Sequence, residues 1–227
     1  SVQSVQGSNS MKPINRIALA WLAAPCLAWV LAAPTPSQAE TNRFMPLAAD
    51  TEAPDGFVDF CTRFPVDCQE NGEPSRAVVL TEDRWVELVE TNRSVNRTIS
   101  PTTDQEFYGR EEFWTFPQTA GDCEDYVLLK RHRLIGKGWP SSVLLITVVR
   151  DENGEGHAVL TVGTDRGDLI LDNRTDVILP WNNRPYTYVK RQRIRNPRAW
   201  VRVLDPRATQ AVGSVRAPSV QTTRPQD

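Results

Sequence analysis

The sequence predicts an α+β domain in which helices come first and an antiparallel sheet follows. Two segments with helical spacing of apolar residues occupy the first part of the chain, and the second ends near residue 136. After Pro140 the pattern changes to short β-branched and aliphatic runs bounded by Gly, Asn and Asp. Helices followed by strands, rather than alternating with them, favour an antiparallel sheet.

The composition is that of an ordinary globular protein. The 227 residues carry 26 Lys+Arg against 28 Asp+Glu, so the formal net charge is −2. This balance argues against nucleic acid as a partner, because nucleic-acid-binding domains present a basic surface. Four cysteines are too few for a small fold built on disulfides.

Residues 1–39 are interpreted as upstream residues followed by a secretory signal peptide. Lys12 and Arg16 precede a charge-free apolar run over 17–33, and Ser37-Gln38-Ala39 offers the small residues of a cleavage site. The alternative is a membrane anchor, although a run of 17 residues is at the lower limit for spanning a bilayer. We therefore expect export, cleavage near Ala39 and no membrane span in the mature chain.

The remaining chain is predicted to contain one domain. Residues 40–55 are interpreted as a linker, 56–204 as the folded domain and 205–227 as a disordered tail without apolar periodicity. Loss of residues 1–39 removes two basic residues, so the mature net charge becomes 24 − 28 = −4.

Each predicted element has a local signal. Thr81 is an N-cap for a helix that ends at Ser100-Pro101, and Gly121-Asp122 opens a second helix that Gly136 and Gly138 end. The first helix buries apolar residues that include Trp85, Leu88 and Val95. The predicted strands are 143–149, 158–162 and 169–171, with further candidates at 186–189 and 200–204.

Cys123 is the cysteine that needs an explanation. Export removes Cys26, and Cys61 and Cys68 are close enough in sequence to close a small loop, which leaves Cys123 unpaired. It is either a buried inert thiol or a nucleophile. The start of a helix favours the second interpretation, because the dipole and free N–H groups there stabilise a thiolate and an oxyanion.

His157 and Asp172 are the expected partners of that thiol. His132, the other histidine, lies about 13 Å along the same helix and cannot reach Cys123. A turn centred between Thr164 and Asp165 would place His157 directly opposite Asp172 on neighbouring strands, so that the carboxylate orients the imidazole. The alternative is a surface histidine and an aspartate that only forms a turn.

Three acids flank the cysteine: Asp122, Glu124 and Asp125. They can simply complement the helix dipole, but carboxylates close to a thiol oppose formation of the thiolate. Either they point away from Cys123 or a cation neutralises them. Such a density of oxygen ligands suits Ca²⁺, although the chain has no EF-hand loop.

The blocks Gly121-Asp122-Cys123-Glu124-Asp125-Tyr126, Gly156-His157-Ala158-Val159-Leu160 and Leu171-Asp172-Asn173 resemble those of bacterial transglutaminase-like cysteine proteinases. The resemblance extends from about Phe57 to Trp200. It implies a papain/transglutaminase-like core, with the nucleophile at the N-terminus of a helix packed on an antiparallel sheet. It also implies Cys123 as nucleophile, His157 as general base and Asp172 as its orienter.

The LapG-type branch of this family implies more specific expectations. These are a periplasmic location, Ca²⁺ bound by Asp122 and Glu124, a large surface adhesin as substrate and a membrane-bound cyclic-di-GMP receptor as inhibitor. We therefore expect an exported cysteine endopeptidase that works through a thioester acyl-enzyme. Two alternatives remain open, namely acyl transfer to an amine by a transglutaminase or amidase, and a catalytically silent binding module.

Overall fold

The computed structural model describes residues 43–208, and the expected signal peptide and residues 209–227 lie outside that range. The helices are α1 (Asp55–Arg63), α2 (Glu82–Thr98), α3 (Asp104–Tyr108) and α4 (Cys123–Gly136). The strands are β1 (Leu47–Thr51), β2 (Ser100–Pro101), β3 (Ala120–Gly121), β4 (Leu144–Arg150), β5 (Gly156–Thr164), β6 (Gly167–Asp172), β7 (Thr175–Pro180), β8 (Thr187–Gln192) and β9 (Trp200–Val203). Across 43–208, each helix is too short or too polar to cross a membrane.

The predicted antiparallel sheet is present and has seven strands in the order β1-β9-β8-β4-β5-β6-β7. Each neighbouring pair in it is antiparallel. The short strands β2 and β3 form a separate parallel pair. The predicted α+β class is therefore confirmed.

Alternation along β5 divides the core between the two faces of the sheet. Ala158, Leu160 and Val162 belong to the large cluster that includes the helices, whereas Val159 belongs to a second cluster on the other face. Helix α4 packs directly on β5 and against α2. Because both faces of the strand are covered, the β5 positions from His157 onward are buried.

The predicted starts of the two long helices are confirmed. The Thr81 side chain accepts a hydrogen bond from the backbone N–H of Arg84 at the start of α2. Leu88 and Val95 are completely buried on α2, but Trp85, expected to be inside, is 39% exposed. The start of α4 at Cys123 agrees with the predicted helix opening at Gly121-Asp122.

The predicted hairpin register is wrong by two residues. The loop is Asp165-Arg166 and not Thr164-Asp165, because Gly167 adopts a φ of +112° that favours glycine. The β5–β6 pairs therefore include Thr164 with Gly167 and Leu160 with Leu171, so Asp172 lies diagonally from His157 and not directly opposite it. A shift of two residues keeps both side chains on the same face of the sheet.

Two expected boundaries differ from the structure. The interval 40–55, interpreted as a linker, includes β1, which pairs with β9, and the first residue of α1. The first residues of the expected tail pack against the domain. Asp205 is buried and accepts a hydrogen bond from the backbone N–H of Tyr188 (2.9 Å). β1 attaches by backbone pairing at a sheet edge and Asp205 attaches through its side chain, so neither contact requires apolar periodicity in the sequence.

The expected cysteine pairing is present. Cys61 on α1 forms a disulfide with Cys68, and Cys123 is free and half-buried. The disulfide closes a loop with a sequence separation of seven residues at the end of α1.

Replacement of Cys61 and Cys68 by alanine should lower the free energy of unfolding by about 2.5 kcal/mol, because a loop of this length is no longer closed in the unfolded chain. Urea denaturation of the two proteins measures the difference. A reductant should destabilise the wild-type chain and leave the Cys61→Ala/Cys68→Ala variant unchanged. Equal sensitivity of both proteins to the reductant would contradict this account.

Candidate active site

The block from Gly121 to Tyr126 positions the thiol through several separate contacts. A Cβ on Gly121 would lie 2.4 Å from Asp125 Oδ2, so only glycine leaves room for the Asp125 carboxylate. Asp125 Oδ1 in turn accepts a hydrogen bond from the backbone N–H of Thr115 (2.8 Å). The hydroxyl of Tyr126 donates to the carbonyl oxygen of Ile99 (2.6 Å), which ties α4 to the end of α2.

Cys123 is the first residue of α4, and its sulfur faces β5. The backbone N–H of Ala158 donates a hydrogen bond to Cys123 Sγ at 3.3 Å. At this end of a helix the first N–H groups have no intrahelical acceptor, so they can stabilise negative charge nearby. The thiol is thus held between the helix terminus and the strand that carries His157.

His157 and Asp172 form a buried pair next to the thiol. His157 Nε2 lies 3.0 Å from Asp172 Oδ1, and the two side chains are 2% and 0% exposed. Burial opposes the charge on Asp172, but hydrogen bonds from His157 and Tyr186 outweigh it and hold the pKa of Asp172 below its usual range. The ionised carboxylate accepts from Nε2, which leaves Nδ1 of His157 available for proton transfer.

Two cavities meet at this group of residues. One has a volume of about 380 Å³ and includes Trp114 and Lys190 in its lining. The other has a volume of about 360 Å³ and includes Thr103 and Arg174. Both are lined by the same four residues, which place the thiol and the imidazole at the boundary of the two cavities: Asp122, Cys123, Gly156 and His157.

A larger cavity of about 720 Å³ lies elsewhere, between α2 and the C-terminal end of α4. Its lining is mostly basic and polar and includes Arg93, Arg97 and Arg133. The candidate nucleophile and its two partners do not line it. Chemistry rather than volume therefore identifies the site at Cys123.

His132 is placed away from the site, as expected. Its Nδ1 lies 2.8 Å from Asp67 Oδ1, and its side chain is 57% exposed. The ring also packs against Phe116. Of the two histidines in the chain, only His157 lines the cavities at Cys123.

Glu124, one of the acids beside the cysteine, points toward it. The Cys123 thiol donates a hydrogen bond to Glu124 Oε2 at 3.1 Å. Burial first, and then the charge of Glu124, raises the pKa of Cys123 well above its usual range, and the N–H of Ala158 only partly opposes this. The pKa of Cys123 is thus shifted in the direction opposite to the lowering expected from the helix terminus.

A third carboxylate, which the sequence did not single out as a ligand, joins Asp122 and Glu124. Asp104 is nearly fully buried on α3, and ligand oxygens of the three acids lie within 4.8 Å of one another. The β2–β3 pair brings this helix close, and a capping box between Thr103 and Glu106 starts it. The Thr-x-x-Glu spacing was the available signal for that helix start.

The chemistry of this cluster fits a hard divalent cation. Asp104 Oδ1 and Asp122 Oδ1 are buried without a hydrogen-bond partner among residues 43–208. Burial raises the pKa of Asp122 to about 6, and burial together with the charge of Asp122 raises the pKa of Glu124 to about 9. Unpartnered carboxylate oxygens that repel one another are the donor set that Ca²⁺ prefers.

The model of the bacterial transglutaminase-like cysteine proteinases (BTLCP) matches residues 47–208, so the chain belongs to that family. No curated protein matches the sequence.

Among solved structures, the chain resembles LapG of Legionella pneumophila. The calcium-bound LapG structure is 26% identical, with a TM-score of 0.43, and the match covers 47% of this chain and 64% of LapG. An EGTA-treated LapG structure is 28% identical, with a TM-score of 0.42 and coverage of 47% and 62%. The match thus spans less than two thirds of the LapG chains.

The acidic cluster should make the metal-free chain less stable at alkaline pH. The folded-state pKa values of Glu124 and Asp125, about 9 and about 8, lie above those of unfolded carboxyl groups. The folded state then binds more protons between about pH 4 and 9, so its stability is greatest at the acid end and falls as the pH rises.

In the presence of EGTA, the free energy of unfolding should fall by at least about 3 kcal/mol from pH 5 to pH 9. Glu124→Gln should reduce this dependence without abolishing it, because the amide does not titrate whereas Asp125 still does. Urea denaturation at both pH values measures the effect. Glu152→Gln, which changes an exposed acid, is the matched control. The same slope in the wild type and in Glu124→Gln would show that Glu124 does not cause it.

Proposed function

We propose that the chain is a cysteine endopeptidase that hydrolyses peptide bonds through a thioester acyl-enzyme. One observation carries the proposal: the half-buried thiol of Cys123, at a helix N-terminus, lines two cavities together with His157, which is hydrogen-bonded to buried Asp172. This arrangement supports the roles of nucleophile for Cys123, base for His157 and orienting carboxylate for Asp172, the three that acyl transfer needs. Family membership supports the same chemistry.

In the proposed reaction, Sγ of Cys123 attacks the scissile carbonyl carbon after its proton passes to His157. The backbone N–H of Cys123 would donate to the resulting oxyanion. The C–N bond then breaks, the imidazolium returns its proton to the leaving amine, and a thioester remains. Water, deprotonated by His157, hydrolyses the thioester and regenerates the thiol. Asp172 keeps Nε2 of His157 protonated throughout.

Replacement of Cys123 by alanine should lower peptide hydrolysis at least about 1,000-fold, because the nucleophile is lost while the fold is kept. Cleavage is measured with a mixture of quenched fluorescent peptides, and circular dichroism checks the fold. His157→Ala should match this loss. His132→Ala, which changes the exposed histidine, is the control and should keep activity. Full hydrolysis by Cys123→Ala would refute the proposal.

The acyl acceptor separates the proposal from its nearest alternative. Hydrolysis in H₂¹⁸O incorporates one heavy oxygen into the new carboxylate, whereas a transglutaminase or amidase in acyl-transfer mode joins the acyl group to an added amine. Mass spectrometry of the products distinguishes the two. A catalytically silent binding module predicts neither product, and predicts that Cys123 reacts with iodoacetamide no faster than free cysteine even in excess Ca²⁺.

We further propose that Asp104, Asp122 and Glu124 bind Ca²⁺. Support comes from their close carboxylate oxygens, two of which lack a partner among the described residues. When bound, the cation would neutralise the carboxylates that oppose formation of the Cys123 thiolate. The residues Asp122 and Glu124 follow the expectation from the family resemblance, and Asp104 extends it.

If this is correct, excess Ca²⁺ should raise both the melting temperature and the rate of peptide hydrolysis, and EGTA should reverse both effects. Asp104→Asn should raise the Ca²⁺ concentration for half-maximal stabilisation at least about tenfold, because one charged ligand is lost. Glu152→Gln is the control for a general charge effect. Identical melting curves in Ca²⁺ and in EGTA would exclude a functional site.

The proposed compartment is the bacterial periplasm. Support comes from the signal-like pattern over 11–39 and from the Cys61–Cys68 disulfide, which persists in oxidising compartments. The substrate is proposed to be a protein, with a large surface adhesin as the specific candidate and a membrane-bound cyclic-di-GMP receptor as inhibitor. Both candidates rest on the family resemblance, and adhesin and receptor genes beside the gene for this chain would support them.

A further inference from the structure

Asp172 receives more hydrogen bonds than its role toward His157 requires. Oδ1 accepts from His157 Nε2 and from the backbone N–H of Arg174, each at 3.0 Å. Oδ2 accepts from the Tyr186 hydroxyl at 2.6 Å and from the Arg184 guanidinium. The carboxylate is completely buried, so these donors, rather than water, determine how it is rotated.

Tyr186 contacts both members of the His157–Asp172 pair. Its hydroxyl binds Asp172, and its ring packs against the His157 imidazole with centroids 5.5 Å apart and planes tilted by 60°. The Arg184 guanidinium lies over the Tyr186 ring, 5.2 Å from its centroid. A single side chain thus restrains the carboxylate and the ring that it orients.

We propose that Tyr186 is a positioning residue for the His157–Asp172 pair. Its hydroxyl holds Oδ2 so that Oδ1 is directed at Nε2, and its ring limits rotation of the imidazole. The inference rests on the proposed function, which assigns His157 as the base and Asp172 as its orienting carboxylate. The positioning itself can be measured without a substrate. The sequence gives no signal for this role, because Tyr186 follows Asp172 by fourteen residues and lies in a segment predicted only as a candidate strand.

A brace from the C-terminal part of the described chain holds the same segment. The Arg207 guanidinium donates to the carbonyl oxygen of Arg184 (2.8 Å) and to both carboxylate oxygens of Asp205 (2.9 Å each). Asp205 is itself fixed to β8 through the backbone N–H of Tyr188. Residues 205–207, expected to belong to a disordered tail, therefore support the loop that carries Arg184 and Tyr186.

Tyr186→Phe tests the proposal, because it removes only the hydroxyl that binds Asp172. The chain has two histidines, so ¹⁵N-labelled histidine gives two sets of ring resonances, which His132→Gln assigns. We expect Tyr186→Phe to shift the ring resonances of His157 and not those of His132. With one peptide that the wild type cleaves, kcat should fall about tenfold with KM unchanged, since one hydrogen bond to a charged group is lost.

Tyr188→Phe is the matched control. Tyr188 is as buried as Tyr186, but its hydroxyl has no hydrogen-bond partner within residues 43–208, so its removal should change neither the resonances nor kcat. Arg207→Gln, which removes the brace without touching the pair, should shift the His157 resonances in the same direction by a smaller amount. If Tyr186→Phe fails to fold, Arg207→Gln still tests the proposal.

Unshifted His157 resonances in both Tyr186→Phe and Arg207→Gln would overturn the inference, as would an equal shift in Tyr188→Phe. If the wild type cleaves no peptide but His157 responds selectively to Tyr186→Phe, the positioning role stands and the proposed peptidase activity fails. The two hypotheses therefore have separate readouts.

Discussion

The contact between the first residue of α4 and strand β5 is the interaction on which the rest of the site depends. The Ala158 N–H donates to Cys123 Sγ, so the helix start and the strand that bears His157 are held at hydrogen-bond distance. Packing of α4 on β5 and α2 fixes this approach through buried apolar side chains. The thiol is positioned by backbone elements of the core, which are the most rigid supports that a fold offers.

The same contact has an electrostatic consequence. Bringing the helix start to the sheet also buries Glu124 and Asp125, which follow Cys123 directly in sequence. Burial of acids without enough donors favours their protonated forms and disfavours a thiolate beside them. The chain thus places its nucleophile where a helix terminus promotes ionisation and neighbouring carboxylates oppose it, and a cation would change the balance.

The two long helices α2 and α4, the central strands and the three candidate catalytic residues could be predicted because each has a local signal in the sequence. Thr81 caps a helix, Gly121-Asp122 opens another, and β-branched runs mark β4, β5 and β6. The register of the β5–β6 hairpin was missed because two adjacent turn positions are equally polar, and the positive φ of Gly167 decides between them. Side chains alternate between the two faces of a strand, so an error of two residues in register leaves each on its predicted face. His157 and Asp172 therefore share a face although the predicted register was wrong.

Other parts of the site have no local signal because they arise from tertiary contacts. Asp104 and Asp122 each follow one strand of the parallel β2–β3 pair, and these strands have only two residues each. Tyr186 reaches Asp172 from the segment between β7 and β8, whose path depends on Arg207. Such groups are distant in sequence and meet through short, irregular segments, where hydrophobic periodicity carries no information.

Two sets of buried carboxylates in this small region behave in opposite ways, and the number of hydrogen-bond donors explains the difference. Asp172 accepts from His157, Tyr186, Arg184 and the backbone of Arg174, so it stays ionised although it is completely buried. Glu124 accepts from the Cys123 thiol and lies beside another acid, so burial raises its pKa. Donors from the protein therefore complete the environment of the carboxylate that orients the base. The carboxylates beside the nucleophile lack such donors, and this deficit is what makes them suitable for a metal ion.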